Sequence, residues 1–320
     1  MKKHLLTLPI VIAIALGGLT ACTTETTPVA GIPAMIEENS NVAAVNVLQG
    51  DAIDGKIGAI YVVKVASSIT SEELAATARD TTDMLARNTD ASENWGIRFR
   101  SGNKEIGMAQ SAYLADHPEV IQTVNGVSNA TPTPSPLPIE GARDSYAEQV
   151  KAIDAVIGQN GILSVGSYDA PEGYFSPSVS DQANFEGAYG VSVAALDQSG
   201  WKNRGDFRVT LNLVTQTPEG IVQQTGTSVT ANVLIADQNG GISTLLGFPE
   251  TTVAMYRAAL GVPEAVYTTV TIASRGASED ISIKVENPDL IRSVYAAVQS
   301  VQTEDSPFVN PTVESTRPHL

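Results

Sequence analysis

Residues 58–113 read GAIYVVKVASSITSEELAATARDTTDMLARNTDASENWGIRFRSGNKEIGMAQSAY, and the periods within them decide the fold class. Gly58 to Ala66 is a β-branched apolar run suited to a buried strand. Thr70 and Glu73 have the spacing of a capping box. Leu74, Ala78, Thr81 and Leu85 follow at helical intervals, so a helix is expected over 71–87. Trp95, Ile97 and Phe99 alternate with Gly96, Arg98 and Arg100, which buries one face of a strand and wets the other. Ser101-Gly102-Asn103-Lys104 is a turn, Ile106 to Tyr113 returns, and a short helix is expected from Pro118. The order is β-α-β-β-α.

The C-terminal half repeats this outline. Ser145 and Glu148 have capping-box spacing, with Tyr146, Val150, Ile153 and Ile157 on one helical face. Phe207, Val209, Leu211 and Leu213 alternate with Arg208, Thr210 and Asn212, and a Pro218-Glu219-Gly220 turn leads to strands near 221–225 and 228–236. A helix is expected from Pro249 to a stop at Gly261 and Pro263, then strands over 265–273 and 280–285 and a helix from Pro288. Asp116-His117-Pro118-Glu119-Val120-Ile121-Gln122-Thr123-Val124 parallels Glu286-Asn287-Pro288-Asp289-Leu290-Ile291-Arg292-Ser293-Val294. Each has a cap, a proline at the first helical position, an acid favoured by the helix dipole, then apolar pairs. The expected fold is α+β: two domains with a duplicated α-β-β-α unit, split βαβ or ferredoxin-like halves being the nearest layout. Antiparallel strands should be prominent in the second domain. Two unrelated proline-initiated helices are the alternative.

Composition divides the chain. Residues 22–45 are Thr-, Pro- and Glu-rich without a sustained period and read as a flexible tether. Pro132, Pro134, Pro136 and Pro138 make 129–142 a stiff linker of polyproline type. One α+β domain is expected over 46–128 and another over 143–302. The tail 303–320, with Pro307, Pro311 and Pro318, is expected to be disordered.

At the N-terminus, Lys2 and Lys3 precede an apolar run from Leu5 to Leu16. That run is too short for a ~30 Å hydrocarbon core, which needs ~20 residues. Leu19-Thr20-Ala21-Cys22 resembles the lipobox of bacterial lipoproteins. The resemblance implies a signal peptide over 1–21, cleavage before Cys22, and a diacylglycerol in thioether linkage to its sulfur, with palmitate the natural label. Two acyl chains anchor stably at ~0.8 kcal/mol per buried CH₂. The expected location is the extracytoplasmic face of the cell membrane. In a Gram-negative host, Thr23 in place of Asp would by the same resemblance favour the outer membrane. A plain secretory peptide ending in a chance cysteine is the alternative.

Cleavage would leave 299 of the 320 residues and, with Lys2 and Lys3 gone, move the formal net charge from −16 to −18. Such a surface repels nucleic acid. Cys22 is the sole cysteine, so no disulfide, thiol nucleophile or thiolate metal site can form. His4 falls in the signal peptide and His319 in the tail, which leaves His117 and excludes a zinc site built from several His or Cys. No metal is expected, and no cofactor beyond the covalent diacylglycerol.

Catalytic motifs are weak. Ser101-x-x-Lys104 has the spacing of a serine acyl-transfer motif, but it sits in a turn and lacks a Lys-Thr-Gly companion. His117, beside Asp116 and Glu119, reads as a capping or exposed residue. Carboxylates are plentiful, yet their spacing selects no glycosidase pair. Trp95 and Trp201, the available sugar platforms, adjoin strands that want core aromatics. Asp237-Gln238-Asn239-Gly240-Gly241 lacks the remaining ligands of a calcium loop and reads as a turn. Arg98, Arg100 and Lys104 form a basic stripe that could receive an anionic partner such as a cell-wall polymer; a solvated strand face is the simpler account.

The segment 168–189, YDAPEGYFSPSVSDQANFEGAY, concentrates aromatics and acids, and no Lys or Arg falls between Lys151 and Lys202. It reads as an ordered loop, because disorder disfavours aromatics. Tyr168, Asp169, Tyr174, Phe175, Phe185 and Tyr189 are therefore the candidate ligand or partner residues, against the simpler account of rings pinning a loop to its own sheet. The expectation is a non-enzymatic, lipid-anchored binding, assembly or envelope-maintenance module, its partner an envelope protein, a small molecule or a cell-wall ligand. The alternatives are the solute-binding lipoprotein of an importer and a carboxylate-dependent cell-wall hydrolase.

Overall fold

Hairpins and helices alternate through the described residues. A computed structural model describes residues 31–53, 56–89, 94–117, 144–170, 173–201, 206–217, 222–234, 249–275, 278–302 and 309–316. Cys22, the helix expected at Pro118, the proline-rich linker and the turns at 218–220 and 237–241 lie outside these residues.

Helix α1 (Ile32–Glu37) precedes the hairpin β1 (Val42–Ile53) and β2 (Lys56–Val65). Helix α2 (Ser71–Asn88) leads to β3 (Trp95–Ser101) and β4 (Lys104–Ala109), then α3 (Gln110–Asp116). Helix α4 (Ser145–Val156) enters β5 (Ile162–Tyr168) and β6 (Gly173–Val179). Helix α5 (Phe185–Ser199) joins these to β7 (Asp206–Gln216) and β8 (Val222–Leu234). Helix α6 (Glu250–Leu260) leads to β9 (Tyr267–Arg275) and β10 (Ser278–Val285), and α7 (Ile291–Gln299) leads to β11 (Val309–Ser315).

Among the described residues, all the strands belong to one 11-stranded sheet whose spatial order is the chain order. Hairpin partners pair antiparallel, and strands joined across a helix pair parallel. A right-handed crossover that always steps the same way lands its helix on the same face every time. The described helices accordingly share one core with that face: α4 packs against α2 and α5, and α6 against α7. Among the described residues no helix covers the opposite face. Strand alternation enforces the division, with Val63, Ile97, Phe99, Ile106, Val209, Ile272 and Ile283 each at 0% exposure beneath the helices. Each such burial contributes roughly 1.5–3 kcal/mol.

Several expectations are met closely. Thr70 accepts from Glu73 N at 3.2 Å and Glu73 accepts from Thr70 N at 2.7 Å, a complete capping box at the start of α2. Others are corrected. The supposed tether is ordered from residue 31, because Ile32 and Ile36 of α1 enter the core and β1 already runs by Val42. The supposed tail contains β11, paired parallel with β10 from Glu279↔Val309 to Val285↔Ser315. Asp144, not Ser145, caps α4, accepting from Ala147 N at 3.1 Å. The return strand β4 stops at Ala109 and continues as α3, which places His117 at a helix C-terminus, stacked on Tyr113 at 4.2 Å. The two strands expected near 221–236 are one, β8, interrupted at Gly226, where φ is +85° and a Cβ would meet Thr268 O at 2.3 Å. Antiparallel hairpins are prominent in the second half, at β5–β6, β7–β8 and β9–β10, but they alternate with parallel pairs there as they do before the proline-rich stretch.

At the outer edge, Thr316 N bonds Val285 O, so even-numbered residues of β11 direct their backbone groups toward β10. Pro311 therefore turns its missing donor outward, which blunts the edge against further pairing.

Candidate functional site

The supposed loop at 168–189 is not a loop. It is the end of β5, all of β6, a 3-10 turn at Gln182–Asn184 and the first turns of α5. Strand and helix periods therefore sort its six candidate residues. Phe175 points under the helices and meets Trp201 edge-on at 6.3 Å between ring centroids. Phe185 and Tyr189, one turn apart on α5, pack in the same core, and burial raises the Tyr189 phenol above its ordinary pKa. Asp169, 1% exposed, accepts a hydrogen bond from Ser145 Oγ, to which Gln149 Nε2 donates at 3.2 Å. Gln149 Oε1 in turn accepts from Ser167 Oγ at 2.8 Å and Gly107 N at 3.2 Å, so this buried polar chain ties α4 to β4 and β5. Four of the six thus serve the interior. Tyr168 and Tyr174 are brought together on the helix-free face.

There the pairing places Val62, Arg98 and Gly107 in one row across β2, β3 and β4, and Tyr168, Tyr174 and Arg208 in one row across β5, β6 and β7. The two halves meet because Gly107 has no side chain. A Cβ there would sit 2.7 Å from Tyr168 Cδ2, so the ring reclines over β4. Tyr168 and Tyr174 stack at 5.6 Å with planes 15° apart. The Arg98 guanidinium lies 5.2 Å from one ring centroid and 5.9 Å from the other. Such cation–π contacts contribute about 0.5–2 kcal/mol, more when desolvated. Glu105 pairs with Arg98 at 3.6 Å and with Arg100. Burial raises the Tyr174 pKa, with Arg98 and Arg100 opposing that rise and Glu105 adding to it, so the phenol stays a neutral donor. Ile60, Val62, Ala109 and Ala170 flank the rings as a small apolar cluster.

Toward the C-terminal half the same face becomes a row of hydroxyls and one amide. Ser164, Ser178, Asn212, Ser228, Thr271, Ser282 and Thr312 are successive register partners from β5 to β11. At ~4.8 Å per strand the row spans about 29 Å. Asn212 Nδ2 donates to Ser176 Oγ at 2.7 Å, and Gln224 Nε2 donates to Asn212 Oδ1 at 3.1 Å, which fixes the middle of the row.

The basic stripe divides. Arg98 and Arg100 stay on the open face, whereas Lys104 turns to the helix side, donating to Ser71 Oγ at 2.7 Å and pairing with Asp154. Ser101 Oγ donates to Ala66 O at 3.0 Å, so both ends of the Ser-x-x-Lys spacing are bonded elsewhere. Beside them a depression of ≈160 Å³ is lined by Ser67, Thr70, Ser71, Gly102 and Lys104. Trp95 and Trp201 are 1% and 0% exposed, which removes both as sugar platforms. Among the described residues Asp169 is the one buried carboxylate, no cluster of three or more His, Cys, Asp or Glu could hold a metal, and no helix is long and apolar enough to cross a membrane. Where an interdomain cleft would lie, β4 and β5 pair through Lys104↔Val165 and Glu105↔Gly166.

The open face carries residues that the sequence did not single out as site candidates: Gly107, the hydroxyl row, and Arg208, which stood only as the wet side of an alternating strand. Each alternates with a core residue, and that period was the available signal. No family model, curated protein or solved structure matches the chain.

Proposed function

We propose that this chain is a lipid-anchored, extracytoplasmic and non-enzymatic binding or assembly module of the cell envelope, its binding surface the helix-free face of the sheet. The observation that carries this is the sidedness of the sheet. One face is consumed by helices and apolar contacts, while the other carries the half-buried Tyr174 stacked on the buried Tyr168, with arginines and a hydroxyl row beside them. Antiparallel hairpins tolerate one solvated face, and a face of this chemistry suits recognition. Cys22 would carry the anchor through the lipobox resemblance. The chain from Cys22 to Gly31 extends at most about 30 Å, so the folded body would ride close to the bilayer. The outer membrane is the proposed destination in a Gram-negative host, and nucleic acid is not among the proposed partners.

The finer organisation belongs to the same proposal. The repeated hairpin-plus-helix unit is read as a duplication, and the parts before and after the proline-rich stretch, widened to take in α1 and β1 on one side and β11 on the other, as two domains meeting at the β4–β5 junction, the sparsest pairing in the sheet.

Two arms test the proposal. Metabolic labelling with palmitate should mark the wild-type chain and not Cys22→Ala. Detergent-extracted protein should co-sediment with envelope material stripped of lipid, and Thr230→Glu with Asn212→Glu on the open face should abolish this. Label that enters Cys22→Ala refutes the anchor. Sedimentation indifferent to both open-face changes refutes the surface.

A further inference from the structure

We infer that the open face binds a carboxylated polysaccharide laid across the strands, its pyranose rings against Tyr174 and its carboxylates on Arg98 and Arg208. This rests on the binding-module proposal above and names its ligand class.

Charge is the first reason. The chain is strongly acidic, at −16, yet the described side chains of β2 to β7 on this face include Lys64, Arg98, Arg100 and Arg208 against Glu105. On the open face of β10 and β11 Asp280 and Glu314 stand with Lys284, while other acids gather on the helices: Glu72, Glu73 and Asp80 on α2, Glu148 and Asp154 on α4, Glu186 and Asp197 on α5. The helix acids lie beyond the sheet by about a helix diameter, ~10 Å, and the Debye length at physiological salt is ~8 Å. An anion approaching the open face over β2 to β7 meets the arginines first.

Spacing is the second reason. The backbones of Arg98 and Arg208 stand four strands apart, about 19 Å, but the Arg98 guanidinium leans over the tyrosine stack to 5.9 Å from the Tyr174 ring, so the two charges are nearer to each other than their strands. Two guanidiniums carried on separate strands around one tyrosine stack fit a chain with repeated carboxylates. The third reason is the hydroxyl row, which offers donors and acceptors in register with the strands and suits a ligand rich in hydroxyls. A polyol phosphate would supply the charge but no ring face for Tyr174. A guanidinium holds a carboxylate in a bidentate fork, and an aromatic face takes the apolar side of a sugar ring.

The test is calorimetric titration of the full chain in detergent with polygalacturonate and with neutral dextran of matched length. Binding is expected for polygalacturonate alone and should weaken with added salt. Arg98→Gln and Arg208→Gln should each lower affinity roughly tenfold. Arg208 lies outside the Arg98–tyrosine contacts, and a urea midpoint and circular dichroism spectrum of Arg208→Gln equal to the wild type's separate lost binding from a disturbed face. Arg292→Gln, exposed on α7, should change nothing. Equal binding of dextran, or an equal loss in Arg292→Gln and Arg208→Gln, overturns the inference. So do face-to-face dimers in sedimentation velocity that dissociate in Arg208→Gln, since a second copy would then be the occupant. Co-sedimentation with envelope material but no heat with polygalacturonate sinks the glycan while leaving the module standing.

Discussion

Gly107→Ala should be among the most damaging single-methyl additions in the protein, and Gly166→Ala, one strand away, should be harmless. Neither glycine has a left-handed backbone, so the contrast isolates space from conformational freedom. At Gly107 the added Cβ would lie 2.7 Å from the carbonyl oxygen of Ile97 and 2.7 Å from Tyr168 Cδ2. The carbonyl belongs to a paired strand and cannot give way, and moving the ring breaks its stack with Tyr174 and its contact with Arg98. Overpacking of this kind costs about 1–3 kcal/mol, and loss of the cation–π and stacking contacts adds about 1 more. At Gly166 the nearest atoms are the Cβ of Glu105 and of Ser176, both at 3.9 Å, an ordinary contact. Alanine there should be neutral or stabilise by about 0.5–1 kcal/mol, since glycine weakens strand interiors. Urea unfolding followed by far-UV circular dichroism reads both. Equal midpoints for the two variants would refute the packing of Tyr168 over β4 and, with it, the geometry of the open face.

Thr70→Ala removes the side-chain half of the α2 capping box and should cost about 1 kcal/mol, and Glu73→Ala, which removes the bond accepted from the Thr70 backbone N, should add a smaller loss; a double mutant no less stable than Thr70→Ala would argue against that second bond. Ser145→Ala deprives the buried Asp169 of a donor and should destabilise by about 1–3 kcal/mol, whereas Ser164→Ala on the open face should stay within about 0.5 kcal/mol, both by chemical denaturation. The phenols of Tyr146, Tyr174, Tyr189 and Tyr267 are all raised by burial, so their folded pKa values exceed the unfolded one of ~10. Stability from this source is complete below pH ~10 and falls as pH climbs through the folded values. Tyrosinate absorbance should therefore rise together with unfolding, and a full titration of all tyrosines in the folded protein would contradict the burial.

Legibility followed the strength of the local period. The alternation at Trp95–Arg100 and at Phe207–Val214, and the capping box at Thr70, mark elements that stand close to their expected bounds. Strand β6 was hidden by Pro177, which argues against an interior strand; the sheet accommodates it by a gap in the β6–β7 register between Phe175 and Ser178. Strand β11 was hidden by Pro311, which an edge position tolerates. Helix α1 is six residues long and shows too little period to separate it from a Thr- and Pro-rich leader. The candidate site was half legible: the aromatic concentration at 168–189 pointed to Tyr168 and Tyr174, yet only the pairing of β4 with β5 brings Arg98 to them. A contact across four strands leaves no trace in local spacing.

Hydroxyl-radical footprinting tests the sidedness of recognition most directly, because each layer carries its own reporter tyrosine. Tyr174 sits half-buried on the open face, and Tyr295, 45% exposed, sits on α7 in the helix layer. With envelope material bound, Tyr174 oxidation should drop several-fold while Tyr295 oxidation stays constant. Protection of Tyr295 with Tyr174 unchanged would place the partner on the helices and contradict the account.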